Sequence, residues 1–137
     1  MGYLIDTGIW IDVERGARSP SDVAAITGNE PVYLSPITIA ELKFGAEITQ
    51  RDDLRIKRLA AVLRLLQKPL LVIDETTGDI FGSVAAKLKT QGRGHAFRVQ
   101  DLWIACQAIQ HGLRLLTLNR KDFEDIPGLE LVLMPKA

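Results

Sequence analysis

Residues 3–8 read YLIDTG: three apolar side chains, then an aspartate, a threonine and a glycine. The apolar run predicts a short buried strand, and Asp6 stands where that strand ends. Aspartate and threonine are also common at helix starts, so Asp6 could simply be an N-cap. In an open α/β sheet, however, ligands bind at the carboxyl ends of the strands. The two interpretations differ in whether other acidic residues reach the same edge.

Strand and helix signals alternate along the rest of the chain. Serine, proline and glycine mark a short capped helix at SPSDVAAITG, and a glycine closes the helix DLWIACQAIQHG. Strands that alternate with helices predict an α/β fold with a parallel central sheet covered on both faces. Further strands are predicted at VYLS, LLVID, LRLLTLN and LELVLM.

Length and composition limit the class of protein. The 137 residues predict a single domain, residues 1–137, and 47% apolar with 25% charged residues is typical of a soluble globular protein. Seventeen basic residues balance seventeen acidic ones, which does not indicate a general nucleic-acid or membrane-surface binder. No secretion signal or membrane span is recognisable, and the single cysteine, Cys106, is expected to be a packed thiol in a reducing compartment. A cytoplasmic location is expected.

Four acidic residues from distant parts of the chain are predicted to meet at one edge of the sheet. Asp6 ends the first strand, and Glu41 lies in the helix after VYLS. Asp101 begins a late helix, and Asp122 follows the strand LRLLTLN. Each has a local alternative: an N-cap for the first, a capping box with Thr38 for the second, a helix-dipole contact for the third and a turn for the fourth. Only a shared site explains why all four reach the same edge.

Clustered carboxylates repel one another, and burial raises their pKa values, so such a cluster needs a positive charge inside it. Mg²⁺ takes oxygen ligands, keeps several waters, and can polarise a phosphoryl oxygen or help to deprotonate a water. Zinc is not favoured, because His95 and His111 lack zinc-type spacing. His95 is expected to be a solvated loop residue, and His111 to stabilise a helix C-terminus.

The segments YLIDTGIWI, YLSPITIAELKFGAE, VQDLWIACQAIQHGLRLLTLNRKDF and IPGLELV occur in this order. Because these segments follow this order and contain the four acids, the chain resembles PIN-domain nucleases over essentially its whole length. It resembles in particular the VapC-type toxins of VapBC toxin–antitoxin pairs. The resemblance implies a PIN-like α/β/α sandwich with a central, mostly parallel sheet. It also implies a Mg²⁺- or Mn²⁺-dependent endoribonuclease that is silenced by a VapB-like antitoxin and forms a homodimer.

Carried over position by position, the resemblance implies two kinds of site residue. Asp6 and Asp101 would bind the metal directly, whereas Glu41 and Asp122 would act through water. The catalytic set is therefore expected to be Asp6, Glu41, Asp101 and Asp122. The neighbours expected to position or bind the substrate are Thr7, Arg98 and Asn119.

The roles expected of these neighbours differ. Thr7 would orient Asp6 through its hydroxyl, and Asn119 would line the same pocket. Arg98, together with Arg93, would hold the backbone of a single-stranded RNA substrate, although an ordinary solvated loop is an equal alternative.

The chain departs from the family pattern at three places. Gly8 stands where members commonly carry asparagine or serine, and HAFRVQ replaces a small apolar stretch before Asp101. Asp125 lies close enough to Asp122 to compete for the fourth acidic position. Since the central acids are retained, hydrolysis of an RNA phosphodiester by a metal-activated water is expected. The alternatives are a non-catalytic PIN-like module that binds RNA or protein and, by fold analogy alone, a phosphoacceptor receiver domain built on Asp74.

Two surfaces are candidate partner contacts. Trp103 points about 200° around its helix from Asp101, which indicates a homodimer or antitoxin contact or, alternatively, burial beneath a neighbouring helix. The segment KFGAEITQRDDLRIKRLAAVLRLL could cradle an antitoxin helix. Packing of its Leu59 and Leu63 against the sheet is the simpler interpretation.

Overall fold

The computed structural model describes residues 1–94 and 98–135, so the predicted loop position of His95 lies outside the described residues. Helices separate the strands of these two ranges, as the sequence predicts, but four helices follow one another between β2 and β3. In chain order they are β1 (Tyr3–Ile5), α1 (Thr7–Glu14), α2 (Pro20–Thr27), β2 (Val32–Tyr33), α3 (Pro36–Glu47), α4 (Asp52–Leu65), α5 (Glu75–Thr90), α6 (Val99–His111), β3 (Arg114–Thr117), α7 (Arg120–Phe123) and β4 (Glu130–Leu133).

The strands form one parallel sheet in the order β2-β1-β3-β4. Successive side chains of a strand point to opposite faces, so Leu4 and Leu115 pack into one core with α5 and α6. Ile5 and Leu116 pack into a second core with α1 and α2. Helices therefore cover both faces, which confirms the predicted α/β/α sandwich. Because the strands are parallel, their carboxyl ends lie along a single edge.

Helix boundaries follow the chemistry of their end residues. Ser19 caps α2, with Pro20 in the first turn, and its side chain accepts the N–H of Asp22. Gly112 ends α6 with φ of 64°, a left-handed conformation that glycine adopts without a Cβ penalty. Inside α6, Cys106 is fully buried, and this burial raises the pKa of its thiol to about 12. Cys106 is a packed thiol, as predicted.

The predicted strand LLVID is wrong. Leu70 forms a single parallel bridge with Leu34, beyond β2 at the end of the sheet, and Val72 is 72% exposed. The carbonyl of Leu71 accepts a hydrogen bond from the buried side chain of Gln107 (Nε2 to O, 3.0 Å). Backbone pairing with Leu34 thus stops at Leu71, where a side chain of α6 takes over, and an apolar pattern alone cannot indicate this end.

The packing predicted for Leu63 is wrong. Leu63 is 67% exposed and does not pack against the sheet, whereas Val62 is buried and Leu59 is half-buried. Trp103 stacks on Phe81 of α5, with ring centroids 4.2 Å apart, which agrees with the alternative of packing against a neighbouring helix. A homodimer or antitoxin contact at Trp103 stays a prediction. In the part of the chain that the structure describes, no helix is long and apolar enough to cross a membrane.

Candidate active site

Asp6 is fixed by the ends of two neighbouring strands. Its N–H donates to the carbonyl of Leu116 in β3 at 2.9 Å. One carboxylate oxygen, Oδ1, accepts the N–H of Thr7 at 2.9 Å, so Asp6 is an N-cap of α1. The other, Oδ2, accepts the hydroxyl of Thr117 at 2.8 Å. The N-cap alternative is therefore correct, and the same side chain is also held at the carboxyl edge of the sheet.

Glu41 is held by a chain of hydroxyl groups. Oγ1 of Thr7 donates to Oε1 of Glu41 at 2.9 Å, and lies 2.9 Å from Oγ1 of Thr38. A hydroxyl carries one proton, so Thr38 donates to Thr7 when Thr7 donates to Glu41. The capping-box alternative is wrong, because Ser35 caps α3 and Thr38 is fully buried inside it. The role expected of Thr7 is also corrected: its hydroxyl orients Glu41, and only its backbone N–H contacts Asp6.

Asp101 lies in the first turn of α6 and shares the electrostatic environment of the other acids. Burial, followed by the charges of Asp6, Asp122 and Glu41, raises the pKa of Asp101 to about 7, and Arg98 opposes this shift. Burial is also the main cause that raises the pKa of Asp6, to which the charge of Asp122 adds. Burial is likewise the main cause that raises the pKa of Glu41, and the charge of Asp6 adds to it. The structure thus brings the four predicted acids to one edge, while their catalytic roles stay a prediction.

Asp122, rather than Asp125, faces the other acids. The side-chain amide of Asn119 donates to Oδ2 of Asp122, and the N–H of Asn119 donates to Oγ1 of Thr117 at 3.1 Å. Asp125 instead accepts hydrogen bonds from Arg98 and Arg93, which hold the pKa of its carboxyl below the usual range.

Arg98 is committed to Asp125. Its guanidinium forms two hydrogen bonds of 2.8 Å with the Asp125 carboxylate, and its side chain is 9% exposed. A guanidinium that is buried and paired on its forked face cannot hold an RNA backbone in this conformation. The expectation that Arg98 binds substrate is therefore corrected.

The donor set fits a hydrated divalent ion. Within residues 1–94 and 98–135, no three His, Cys, Asp or Glu side chains lie close enough together to hold one ion among themselves. The acids nevertheless repel one another, as the raised pKa of Asp101 indicates, and they offer only oxygen ligands. An ion that takes one or two carboxylates and completes its shell with water suits this arrangement, and Mg²⁺ commonly binds in that way.

Sequence reasoning missed two of the hydroxyl groups that hold the acids in place, those of Thr117 and Thr38. Thr117 ends β3, next to the strand that Asp6 ends, so its position at the carboxyl edge was a usable signal. For Thr38 the sequence predicts only a role in capping a helix. Gly8 has room for a larger residue, because an added Cβ would come no closer than 3.9 Å to Leu118. Packing therefore does not require glycine at this position.

Comparisons with known proteins agree with this geometry. The PIN domain family profile matches residues 3–129. Ribonuclease VapC1 of Rickettsia felis is 32% identical over 96% of this chain and 96% of its own. The structure of VapBC-1 from nontypeable Haemophilus influenzae is similar with a TM-score of 0.81 at 31% identity, covering 98% of each chain. DNA-bound VapBC from Salmonella typhimurium shares the fold with a TM-score of 0.84 at 24% identity, covering 98% of this chain and 99% of that one. The predicted resemblance is confirmed, and the chain belongs to the PIN domain family.

Proposed function

We propose that the protein is a Mg²⁺-dependent endoribonuclease and the toxin component of a type II toxin–antitoxin pair. The observation that carries the proposal is the group of acids at the carboxyl edge, in which Asp101 has a pKa raised to about 7. Relatives named ribonuclease VapC, matched over nearly their whole length, support RNA as the substrate.

Asp6 and Asp101 are the residues that would hold the ion. A bound Mg²⁺ would polarise a phosphoryl oxygen and lower the pKa of a water molecule. Thr117 keeps one oxygen of Asp6 fixed, so the carboxylate needs little reorganisation when it binds. Mn²⁺ has the same preference for oxygen ligands and is expected to substitute.

Glu41 is suited to accept the proton of the attacking water. Burial and the charge of Asp6 raise its pKa, which strengthens it as a base. Thr7 holds one of its oxygens and leaves the other for the water. Asn119 holds the Asp122 carboxylate in a similar way.

RNA cleavage with and without a chelator tests the proposal. We expect cleavage in Mg²⁺, none in EDTA, and none by Asp6→Asn, because asparagine keeps the N-cap but lacks the charge that binds the ion. Asp74→Asn is a matched control, since Asp74 is also a helix N-cap but lies outside the acidic group. Cleavage by Asp6→Asn at the rate of the Asp74→Asn control would contradict the proposal. RNA binding without cleavage would favour the non-catalytic alternative.

We further propose that an antitoxin binds the surface formed by α3 and α4. This surface carries the exposed apolar side chains Phe44, Ile48, Ile56 and Leu63. A cavity of about 70 Å³ is lined by other residues of α3 and α4 and by α1, including Trp10 and Glu41. A partner that contacts the exposed side chains and also enters this cavity would cover Glu41, which would explain how it silences the site. Solved VapBC complexes are similar to this chain.

Leu63→Glu is expected to weaken antitoxin binding by thirtyfold or more, because a buried apolar contact at an interface is replaced by a charge. The measurement is titration with the purified protein encoded beside this gene. Val72→Glu is the matched control, since Val72 is similarly exposed but lies outside the α3–α4 surface. Equal losses in the two variants would count against this surface.

A further inference from the structure

An ion pair between Arg98 and Asp125 lies beside the four acidic residues at the carboxyl edge of the sheet. Nη1 of Arg98 donates to Oδ1 of Asp125 and Nη2 donates to Oδ2, each at 2.8 Å. The side chains are 9% and 13% exposed, respectively. A forked guanidinium–carboxylate pair fixes both the distance and the relative orientation of its two groups.

This pair connects the two segments that carry Asp101 and Asp122. Arg98 directly precedes α6, three positions before Asp101, and Asp125 lies three positions after Asp122. Nη1 of Arg98 also donates to the backbone carbonyl of Asp122 at 3.2 Å. One guanidinium therefore holds the start of α6 against the segment that carries α7.

Helix caps do not fix the starts of these segments. Neither Arg98, at the start of α6, nor Asn119, at the start of α7, makes a side-chain capping hydrogen bond, and α7 has only four residues. The position of Asp101 relative to Asp122 consequently depends on contacts between the two segments. The Arg98 fork is a charged contact of this kind.

The charge of Arg98 has a second effect. Hydrogen bonds with Asp125 are the main cause that raises the pKa of Arg98, and the charges of Asp122 and Asp101 contribute as well. The guanidinium therefore also reduces repulsion among the acids. Geometry and charge predict different outcomes when lysine replaces Arg98, because lysine keeps the charge but cannot form the fork.

We propose that the Arg98–Asp125 pair positions the acidic site for a divalent ion, and that by fixing Asp101 relative to Asp122 it sets the affinity of the site for that ion. Arg98 is a positioning residue in this role, and contacts neither the ion nor the RNA. The role rests on the proposed metal-dependent activity.

Calorimetric titration of the purified full chain with Mn²⁺ tests the proposal. In Asp125→Asn and in Arg98→Lys, the dissociation constant for Mn²⁺ is expected to rise tenfold or more, since both changes break the fork. Glu130→Gln is the matched control: Glu130 pairs with Arg114, and both residues begin strands, at the opposite edge of the sheet. Circular dichroism establishes that each variant is folded.

A titration of RNA cleavage with Mg²⁺ separates positioning from general stability. We expect the midpoint to move to higher Mg²⁺ while the rate at saturation stays within a few-fold of the wild type. A lower saturating rate with an unchanged midpoint would overturn the proposal. So would wild-type Mn²⁺ affinity in Asp125→Asn, which leaves the proposed function intact. Wild-type affinity in Arg98→Lys would also overturn it, because charge alone would then suffice or Asp125 would itself bind the ion. Failure of the wild-type chain to bind Mn²⁺ would overturn this role and the proposed function together.

Discussion

Asp101→Asn is expected to lower the rate of RNA cleavage about a thousandfold and, without metal, to raise the melting temperature of the protein. The loss of rate follows from the loss of a carboxylate that would hold the ion. Metal assistance contributes several kcal/mol of transition-state stabilisation, and each ~1.4 kcal/mol corresponds to a factor of ten. Cleavage of a labelled RNA in Mg²⁺ measures the first effect.

The gain in stability follows from the raised pKa of Asp101. Its pKa is about 7 in the folded chain against 3.8 for an ordinary aspartate, so the folded state binds this proton more tightly than the unfolded state. Ionisation of Asp101 therefore disfavours folding progressively as the pH rises from about 4 to about 7, and fully above that range. Removing the charge at pH 8 is expected to stabilise the fold by about 1–2 kcal/mol, once solvent screening of this partly exposed carboxyl is taken into account.

Thermal melting in EDTA at pH 8 measures the second effect, which corresponds to a shift of about 5 °C. Asp79→Asn, at an exposed position of α5, is the control and is expected to leave the melting temperature unchanged. If the Asp101→Asn variant loses activity and also has a lower melting temperature, Asp101 stabilises the fold. That result would contradict the destabilisation expected from burial and from repulsion by the neighbouring acids.

The sheet and its acidic edge could be predicted because the end of a strand is visible in the sequence as a polar residue after an apolar run. YLID and LRLLTLN place Asp6 and Asn119 directly after apolar runs, and a parallel sheet brings such ends together. The strand order could not be predicted, since it depends on pairing between distant segments. The apolar pattern of LLVID predicts a full strand, because it does not indicate that pairing with Leu34 stops at Leu71, whose carbonyl accepts the side chain of Gln107.

The orientation of the site was harder to predict than its membership. Which acids gather depends on strand ends, but which partner holds each acid depends on side-chain geometry. Thr7 illustrates this difference: it was expected at Asp6, yet its hydroxyl reaches Glu41 on α3. Arg98 is another case. A loop arginine near an acidic site predicts a substrate contact, and the sequence does not indicate that Asp125 is its partner. Both contacts join positions more than 25 residues apart.

The affinity of the acidic site for Mg²⁺ is expected to fall as the pH is lowered from 7 to 5. Below its pKa of about 7, Asp101 is mostly protonated in the metal-free chain, and binding of the ion must displace this proton. Well below this pKa, each pH unit lowers the affinity for Mg²⁺ about tenfold. At pH 7 Asp101 is already half protonated. The apparent dissociation constant is therefore expected to rise about fiftyfold over the two units.

Calorimetric Mg²⁺ titrations at pH 5, 6, 7 and 8 in buffers of different ionisation enthalpy measure both the affinity and the number of protons released. We expect release to approach one proton per ion at pH 6 and to decline above pH 7. The change from pH 7 to pH 8 is expected to be only about twofold, because Asp101 is then largely ionised before the ion arrives. Constant affinity from pH 5 to pH 8 would contradict direct binding of the ion by Asp101. Unchanged affinity with a falling cleavage rate would instead place the titration on a group that takes part in the reaction, for which Glu41 is the candidate, since burial and the charge of Asp6 raise its pKa.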